Sequence, residues 1–374
     1  MKLWGPIALF LVLDVAIGML AFRLLPDRID ERSFRSDSAL YHHDLQPGKS
    51  EWAQWGPLRY RVHTNSLGFK DASARDVPLE SERRRVIVIG DSFTEGLGFP
   101  FEQTFAGLLA EALAARDIEV LNAGVTSYSP TIYARKIQHL IEDVGLDFDE
   151  VVVFLDVSDI EDEASHYALD AGGRVVDQSP EATARFHVMP KADTSRVART
   201  KRFLVSHSLT IRVGDMLRER WRGPEADAAA PKVDRAVLEW ASTKDRGNWP
   251  DDPALVERYA ARGLANASQA MERLRAQLAA SGKTLTLVVY PWPYQVESAN
   301  RDSLQVRHWR AWSAERGVRF IDLFPAFVGI GEPQQTIGTY YIPGDCHFNA
   351  EGNRRFAEAF LAHYDADPAA RPRE

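Results

Sequence analysis

The chain carries a single cysteine among its 374 residues, Cys346, so no intrachain disulfide can brace it. No set of Cys and His residues stands at metal-ligand spacing, which argues against a zinc site. Excess positive charge is missing as well: 45 Lys+Arg against 53 Asp+Glu leave a net charge of −8. A protein built to hold nucleic acid through phosphate contacts needs the opposite balance. Nor is the chain poor in apolar residues, since 45% hydrophobic and 26% charged residues describe a sequence able to bury a full core. Its length leaves room for one large domain or two ordinary ones.

What is present begins with an apolar run from Leu3 to Phe22, interrupted by Asp14. About 20 such residues suffice to cross a bilayer core as a helix. Residues 1–25 are therefore expected as a transmembrane anchor, with a cleaved signal peptide as the rival, since Ala16-Ile17-Gly18 has the small residues of a cleavage site. Asp14 at mid-span costs about 2.5–3.5 kcal/mol. It either faces a partner helix or polar cavity, or is a tolerated carboxyl without a role. For orientation, Lys2 stands before the run and Arg23, Arg28, Arg32 and Arg35 after it, which by charge alone keeps the bulk in the cytoplasm. A very short tail ahead of the apolar run is instead the layout of a secretory signal or signal anchor. The expectation is a single-pass bacterial inner-membrane protein with its domain outside the cytoplasm.

Residues 26–84 are polar and irregular, with Trp52, Trp55 and Tyr60 scattered through them, and are expected as a stalk that ends by docking. Within them HTNSLGFKD (63–71) has the composition of a tight turn between apolar groups. After Arg85 strands and helices alternate. Expected strands are Val86–Ile89, Ile118–Leu121, Val151–Leu155, Leu285–Tyr290 and Arg319–Leu323. Expected helices are Phe101–Ala114, Thr131–Glu142, about Val256–Ala280, about Ser303–Glu315, and one capped by Asn349 that runs to about Tyr364. Continuously apolar strands alternating with helices predict a three-layer α/β/α sandwich around a parallel sheet of about five strands, over residues 85–365. The alternation lapses at about 160–253, an insertion containing the linker-like GPEADAAAP (223–231) and a basic stretch from Arg196 to Arg202. That basic stretch reads as a solvated helix face or as part of a lid over the site. Residues 366–374 read as a flexible tail.

In α/β sheets ligands bind at the C-terminal strand ends. The first expected strand runs into Gly90-Asp91-Ser92-Phe93-Thr94-Glu95-Gly96, which puts a serine at the mouth of the sheet beside backbone N–H groups able to hold an oxyanion. The second ends in Asn122-Ala123-Gly124 and the third in Asp156-Val157-Ser158-Asp159. Far along the chain Gly344-Asp345-Cys346-His347-Phe348-Asn349 precedes the last helix. A serine nucleophile needs a base, and a histidine base needs a carboxylate that sets its tautomer, which Asp345 and His347 can supply. Asp91, Asp156 and Asp159 are candidate substrate contacts, as is Trp292 in Pro291-Trp292-Pro293-Tyr294, whose ring could stack on a sugar. Cys346 lacks the basic surroundings of a reactive thiol. His42, His43 and His308 read as surface or core histidines.

Together these blocks resemble the SGNH, or GDSL-like, hydrolase superfamily over about residues 85–365, and HTNSLGFKD is similar to a segment found ahead of this domain in anchored bacterial members. The resemblance implies Ser92 as nucleophile, His347 as general base and Asp345 as its orienting acid. It implies an oxyanion hole from the amides of Ser92 and Gly124, a five-stranded parallel sheet, and no cofactor or metal. The sequence departs from the pattern twice. Ser158 stands where an asparagine amide normally donates to the oxyanion, which makes its hydroxyl the third candidate donor, and Asp345 lies two residues before the histidine rather than three.

The expected activity is hydrolysis of a small acyl ester, with an O-acetyl group on an envelope or extracellular polysaccharide as the substrate. One alternative is acyl transfer onto a polysaccharide by the same three residues beside a membrane acyl-transfer partner, which would give Asp14 a purpose. The other is a glycan-binding or scaffold protein in which Asp156-Val157-Ser158-Asp159 marks lost chemistry. No nucleic-acid partner is expected.

Overall fold

The computed structural model describes residues 4–20, 33–56, 58–178 and 244–364, with scattered positions between 197 and 214. The segment 223–231, most of the basic stretch and the tail 366–374 lie outside the described residues. The apolar N-terminal run forms helix α1 (Trp4–Leu20), 17 residues long. Among the described residues no helix is long and apolar enough to cross a membrane, so the expected transmembrane helix is not found. Asp14 does have a partner: its carboxylate accepts from the amide and the hydroxyl of Thr210, both at 2.7 Å.

The segment expected as a stalk is built of strands. β1 (Arg35–Ser38) and β2 (His42–Leu45) form a hairpin, and β3 (Ser50–Trp55), β4 (Leu58–Thr64) and β5 (Lys70–Asp71) follow. In β4 the buried Tyr60, Val62 and Thr64 alternate with Arg59, Arg61 and His63. This is the period-two pattern of a strand with one buried face, and the interleaved charges give it an irregular look. HTNSLGFKD makes the expected turn between β4 and β5. The Asn65 side chain accepts from the amides of Leu67 and Phe69, and Gly68 sits at φ +77° where an added Cβ would lie 2.5 Å from the Leu45 carbonyl oxygen.

The regular alternation then unfolds as expected. β6 (Arg84–Gly90) leads into the short helix α2 (Ser92–Glu95), followed by α3 (Phe105–Ala114), β7 (Ile118–Asn122), α4 (Pro130–His139) and β8 (Glu150–Leu155). After β8 come α5 (Asp159–Ser165) and a small hairpin, β9 (Tyr167–Leu169) with β10 (Val175–Asp177). The chain closes with α6 (Ala261–Ala280), β11 (Thr284–Val289), α7 (Leu304–Arg316), β12 (Arg319–Asp322) and α8 (Ala350–Tyr364).

The central sheet has the order β12-β11-β8-β6-β7-β5-β4-β3. Its first five strands are parallel, and β5, β4 and β3 extend it antiparallel to a mixed sheet of eight, against an expected five. Every residue of β6 and β8 is buried, as strands covered on both faces require. On one face α3 packs against α8, with Phe105 stacked on Phe356 at 4.1 Å and Phe154 edge-on to both. On the other, α6 packs against α4 and α5 and is joined to α7 by Ser268–His308 and Arg316–Glu272 bonds.

The two described ends of the insertion are tied to the same strand end. Trp249 Nε1 donates to the Val157 carbonyl at 2.8 Å, and the buried Arg246 pairs with Asp162 at 3.2 Å. All of this converges on the C-terminal ends of the parallel strands.

Candidate active site

β6 ends at Gly90, and the chain turns at once into α2, with Asp91 as its N-cap accepting from the Phe93 amide at 3.0 Å. This turn leaves Ser92 half-buried at the mouth of the sheet while its neighbours Asp91 and Phe93 are buried. His347 arrives from the loop before α8. Asn349 caps that helix, accepting from the Gly352 amide at 2.9 Å, as expected.

The structure brings Ser92, His347 and Asp345 together. His347 Nε2 lies 2.8 Å from Ser92 Oγ, and His347 Nδ1 lies 2.7 Å from Asp345 Oδ1. A carboxylate can only accept, so Nδ1 carries the proton and Nε2 offers its lone pair to the serine hydroxyl. The competing contact, from Ser92 Oγ to Asp91 Oδ2, is longer at 3.4 Å. The two-residue spacing works because Asp345 Oδ1 also accepts the His347 backbone amide, at 3.2 Å, in a local side-chain turn. Burial by itself would push the Asp345 carboxyl up. The electrostatic pull of the His347 ring and its hydrogen bonds, with a further bond from Trp55, outweigh burial and hold it down at about 2.

Trp55, at the end of β3, was not among the residues singled out by sequence. Its Nε1 donates to Asp345 Oδ2 at 2.5 Å, and its ring stands edge-on to the His347 imidazole at 5.1 Å. Phe93 covers the imidazole at 4.7 Å. The N-terminal strands also clamp the nucleophile turn. Lys70 Nζ donates to the carbonyls of Gly96 and Phe99 at 2.8 and 2.7 Å, and Arg35 forms a two-pronged pair with Glu95.

The expected oxyanion donors fare differently. The Ser92 amide makes no hydrogen bond among the described residues and is open to an oxyanion. The Gly124 amide is already given to Asn122 Oδ1 at 3.0 Å. What requires glycine at 124 is packing, since a Cβ there would come within 2.6 Å of Thr94 Cβ and Cγ2. Ser158 is likewise engaged: its amide donates to Asp156 Oδ1 at 2.5 Å, and its hydroxyl bonds the same carboxylate. The open amide at the second strand end belongs to Ser127, three residues beyond Gly124. Ser127 is partly exposed and has φ +64°, uncommon for a residue with a side chain. Sequence reading missed it because a serine gives no hint of a left-handed backbone.

The other candidate residues lie beneath the site. Asp156 and Asp159 have no exposed surface and Asp91 has 4%. Asp156 is held by Ser158 and by Trp292 Nε1 at 2.5 Å, and Asp159 accepts from Tyr133 OH and from the Asp156 amide. Trp292 is itself buried against Phe93, so its ring is closed to a sugar. Burial, followed by the neighbouring Asp156 charge, pushes the Asp91 carboxyl well above its usual range. Asp159 is raised in the same way, by burial and then by Asp91 and Asp156. Burial raises the Asp156 carboxyl as well, against the bonds from Ser158 and Trp292 that favour its charged form.

Cys346 is buried, and burial pushes its thiol well above the ordinary range, which agrees with an unreactive cysteine. Asp345, Cys346 and His347 present ligand-type atoms within 4.8 Å of one another. Both nitrogens of His347 are already engaged, by Asp345 and Ser92, so the geometry fits a proton relay better than a ligand set.

Fold and site together define a three-layer α/β protein with a serine–histidine–aspartate relay at the C-terminal ends of its parallel strands. No protein-family model and no curated protein matches the chain. Similar solved structures include LAE5, an α/β hydrolase from the metagenome of Lake Arreo, Spain, at 15% identity and TM-score 0.39, covering 75% of this chain and 94% of that one. A member of the lipolytic G-D-S-L family from Veillonella parvula is similar at 11% identity and TM-score 0.38, over 75% of this chain and 97% of its own. A catalytic mutant of Axe2, an acetylxylan esterase from Geobacillus stearothermophilus, is similar at 14% identity and TM-score 0.37, over 75% and 93%. At such low identity and TM-score these likenesses carry no weight for the chemistry, which rests on the chain's own side chains.

Proposed function

We propose that the protein is a serine esterase of the SGNH type. The observation that carries this reading is the continuous relay from Ser92 Oγ through His347 to Asp345, at 2.8 and 2.7 Å. Ser92 Oγ attacks the acyl carbon while its proton passes to His347 Nε2, and the Asp345 carboxylate stabilises the resulting imidazolium. The same proton then goes to the departing alkoxide. Water, deprotonated by His347, attacks the acyl-serine and releases the acid. The free Ser92 amide takes the negative charge on the carbonyl oxygen. An intact relay favours an enzyme over a glycan-binding scaffold, since three side chains held in this order serve no evident packing need.

The proposed substrate is a small acyl ester, with an O-acetyl group on an envelope or extracellular polysaccharide as the first choice. An extracytoplasmic, membrane-attached setting stays part of the proposal, supported by the exposed Leu9, Phe10, Leu11 and Val12 of α1.

The test is peptide mapping after exposure to a fluorophosphonate, together with turnover of p-nitrophenyl acetate. The expected result is an adduct on Ser92 that disappears in Ser92→Ala and His347→Ala, with turnover falling by about 10³-fold or more in both. A Ser92→Ala protein with undiminished turnover overturns the proposal. Product analysis with an acetylated oligosaccharide then separates hydrolysis, which frees acetate, from transfer, which does not.

A further inference from the structure

Thr126 and Ser127 share one peptide group, and its two ends have different fates. Its N–H, on Ser127, makes no hydrogen bond among the described residues, while its carbonyl oxygen lies 2.7 Å from His43 Nε2. Thr126 is held from the other side as well. Its amide and its hydroxyl both donate to Glu95 Oε2 at 2.7 Å, and Glu95 is gripped by Arg35. Ser127, at φ +64°, thus follows a residue that is fixed from both sides.

The chain continues outward from His43. Its Nδ1 lies 2.8 Å from His42 Nδ1, and His42 Nε2 lies 3.0 Å from Asp177 Oδ1 in β10. Donors and acceptors can be assigned in order. A carbonyl only accepts, so His43 Nε2 carries a hydrogen. His43 is partly buried, and loss of water around it, helped by the neighbouring His42, pushes its imidazole down to about 3, so it stays neutral and its Nδ1 accepts. His42 Nδ1 then donates, and His42 Nε2 faces the Asp177 carboxylate. His42 is held at φ +80°, a second residue with a side chain in the left-handed region. The base of the insertion joins the same assembly, since the Val175 amide donates to the Leu40 carbonyl at 2.9 Å.

We propose that Asp177, His42 and His43 form a positioning chain that fixes the Thr126–Ser127 peptide, so that the Ser127 N–H acts as an oxyanion donor for the acyl group on Ser92. The inference rests on the esterase reading and deepens it. A hydrogen bond accepted by the carbonyl of a peptide polarises the whole group and strengthens its N–H as a donor. His43 thus touches neither substrate nor Ser92; it orients and polarises the peptide. The chain also ties the base of the insertion to the chemistry, because Asp177 belongs to the hairpin at its start.

The experiment is steady-state turnover of p-nitrophenyl acetate by the full chain carrying His43→Ala, His43→Gln or Asp177→Asn, with Ser92→Ala alongside and circular dichroism to establish folding. A glutamine amide can donate to the Thr126 carbonyl, whereas alanine cannot. Loss of an oxyanion donor typically lowers turnover by about 100- to 1000-fold, so disturbing its support in His43→Ala is expected to lower kcat by about 10- to 100-fold with KM nearly unchanged. His43→Gln is expected to recover most of that loss. Asp177→Asn, at a partly exposed hairpin position, is expected to fold and to lower kcat about threefold or more. Folded His43→Ala with wild-type kcat overturns the inference, as does His43→Gln no better than alanine. Should His43→Ala fail to fold, wild-type kcat in Asp177→Asn overturns it. Ser92→Ala separates the two levels: full turnover there removes the esterase reading itself, whereas an inert Ser92→Ala beside a fully active His43→Ala removes only the positioning chain.

Discussion

Trp55 donates its indole N–H to Asp345 across 290 residues of sequence, at 2.5 Å, and so completes the hydrogen bonding of the acid that orients the catalytic base. The strand that carries it, β3, is one of the two edge strands of the central sheet. An edge strand of the N-terminal segment therefore takes part in setting the proton relay at the far end of the chain.

Replacing Trp55 by Phe keeps an aromatic edge near His347 and removes only the donor to Asp345. A hydrogen bond to a charged group is worth about 1.5–3 kcal/mol. If most of it bears on the charged relay, kcat falls about 10- to 100-fold while KM changes little. Steady-state kinetics with a folded Trp55→Phe protein checks this, and an unchanged kcat would show that the indole only packs.

Acid stability should depend on Glu95. Burial favours its neutral form, but the Arg35 charge and the hydrogen bonds from Arg35 and Thr126 prevail, and its carboxyl is held at about 2 against an ordinary 4.5. A lowered folded-state value means stabilisation that is fully present above about pH 4.5 and is lost as pH falls toward 2. Melting temperatures measured from pH 6 to pH 2 should drop through that window, and the drop should be shallower in Glu95→Gln. Arg35→Met leaves the Glu95 charge buried and unpaired and is expected to cost about 3–5 kcal/mol at neutral pH.

Gly124→Ala forces a Cβ to within 2.6 Å of Thr94, on the helix that begins with Ser92. Overpacking of this kind costs about 1–3 kcal/mol. Denaturant unfolding should register that loss, and turnover should fall with it because Thr94 cannot yield without moving the nucleophile turn.

Cys346 should be chemically silent. Its burial and raised thiol predict no alkylation by iodoacetamide in the folded protein, by intact mass, and near-normal turnover in Cys346→Ala. Rapid labelling under native conditions would contradict this.

Sequence reading found Ser92, His347 and Asp345 because each sits in a short block at the end of a recognisable strand or just before a helix. It took Gly124 and Ser158 as donors because it could not see competition: Asn122 and Asp156 claim those groups first. Trp292 was offered to substrate for the same reason, its partner Asp156 lying 136 residues away. The alternation of Tyr60, Val62 and Thr64 was legible in principle, but the arginines between them masked it.

The sequence by itself determined the five parallel strands, the helices between them and the three residues of the relay. These follow from local causes: continuous β-branched runs, helical periodicity, glycines at turns and a capping asparagine. Only the tertiary structure decided which amides stay free, which acids are buried, and that β3, β4 and β5 widen the sheet and bring Trp55 to Asp345. Those outcomes depend on which of several donors and acceptors, distant along the chain, reach each other first when the core closes, and no local pattern encodes that competition.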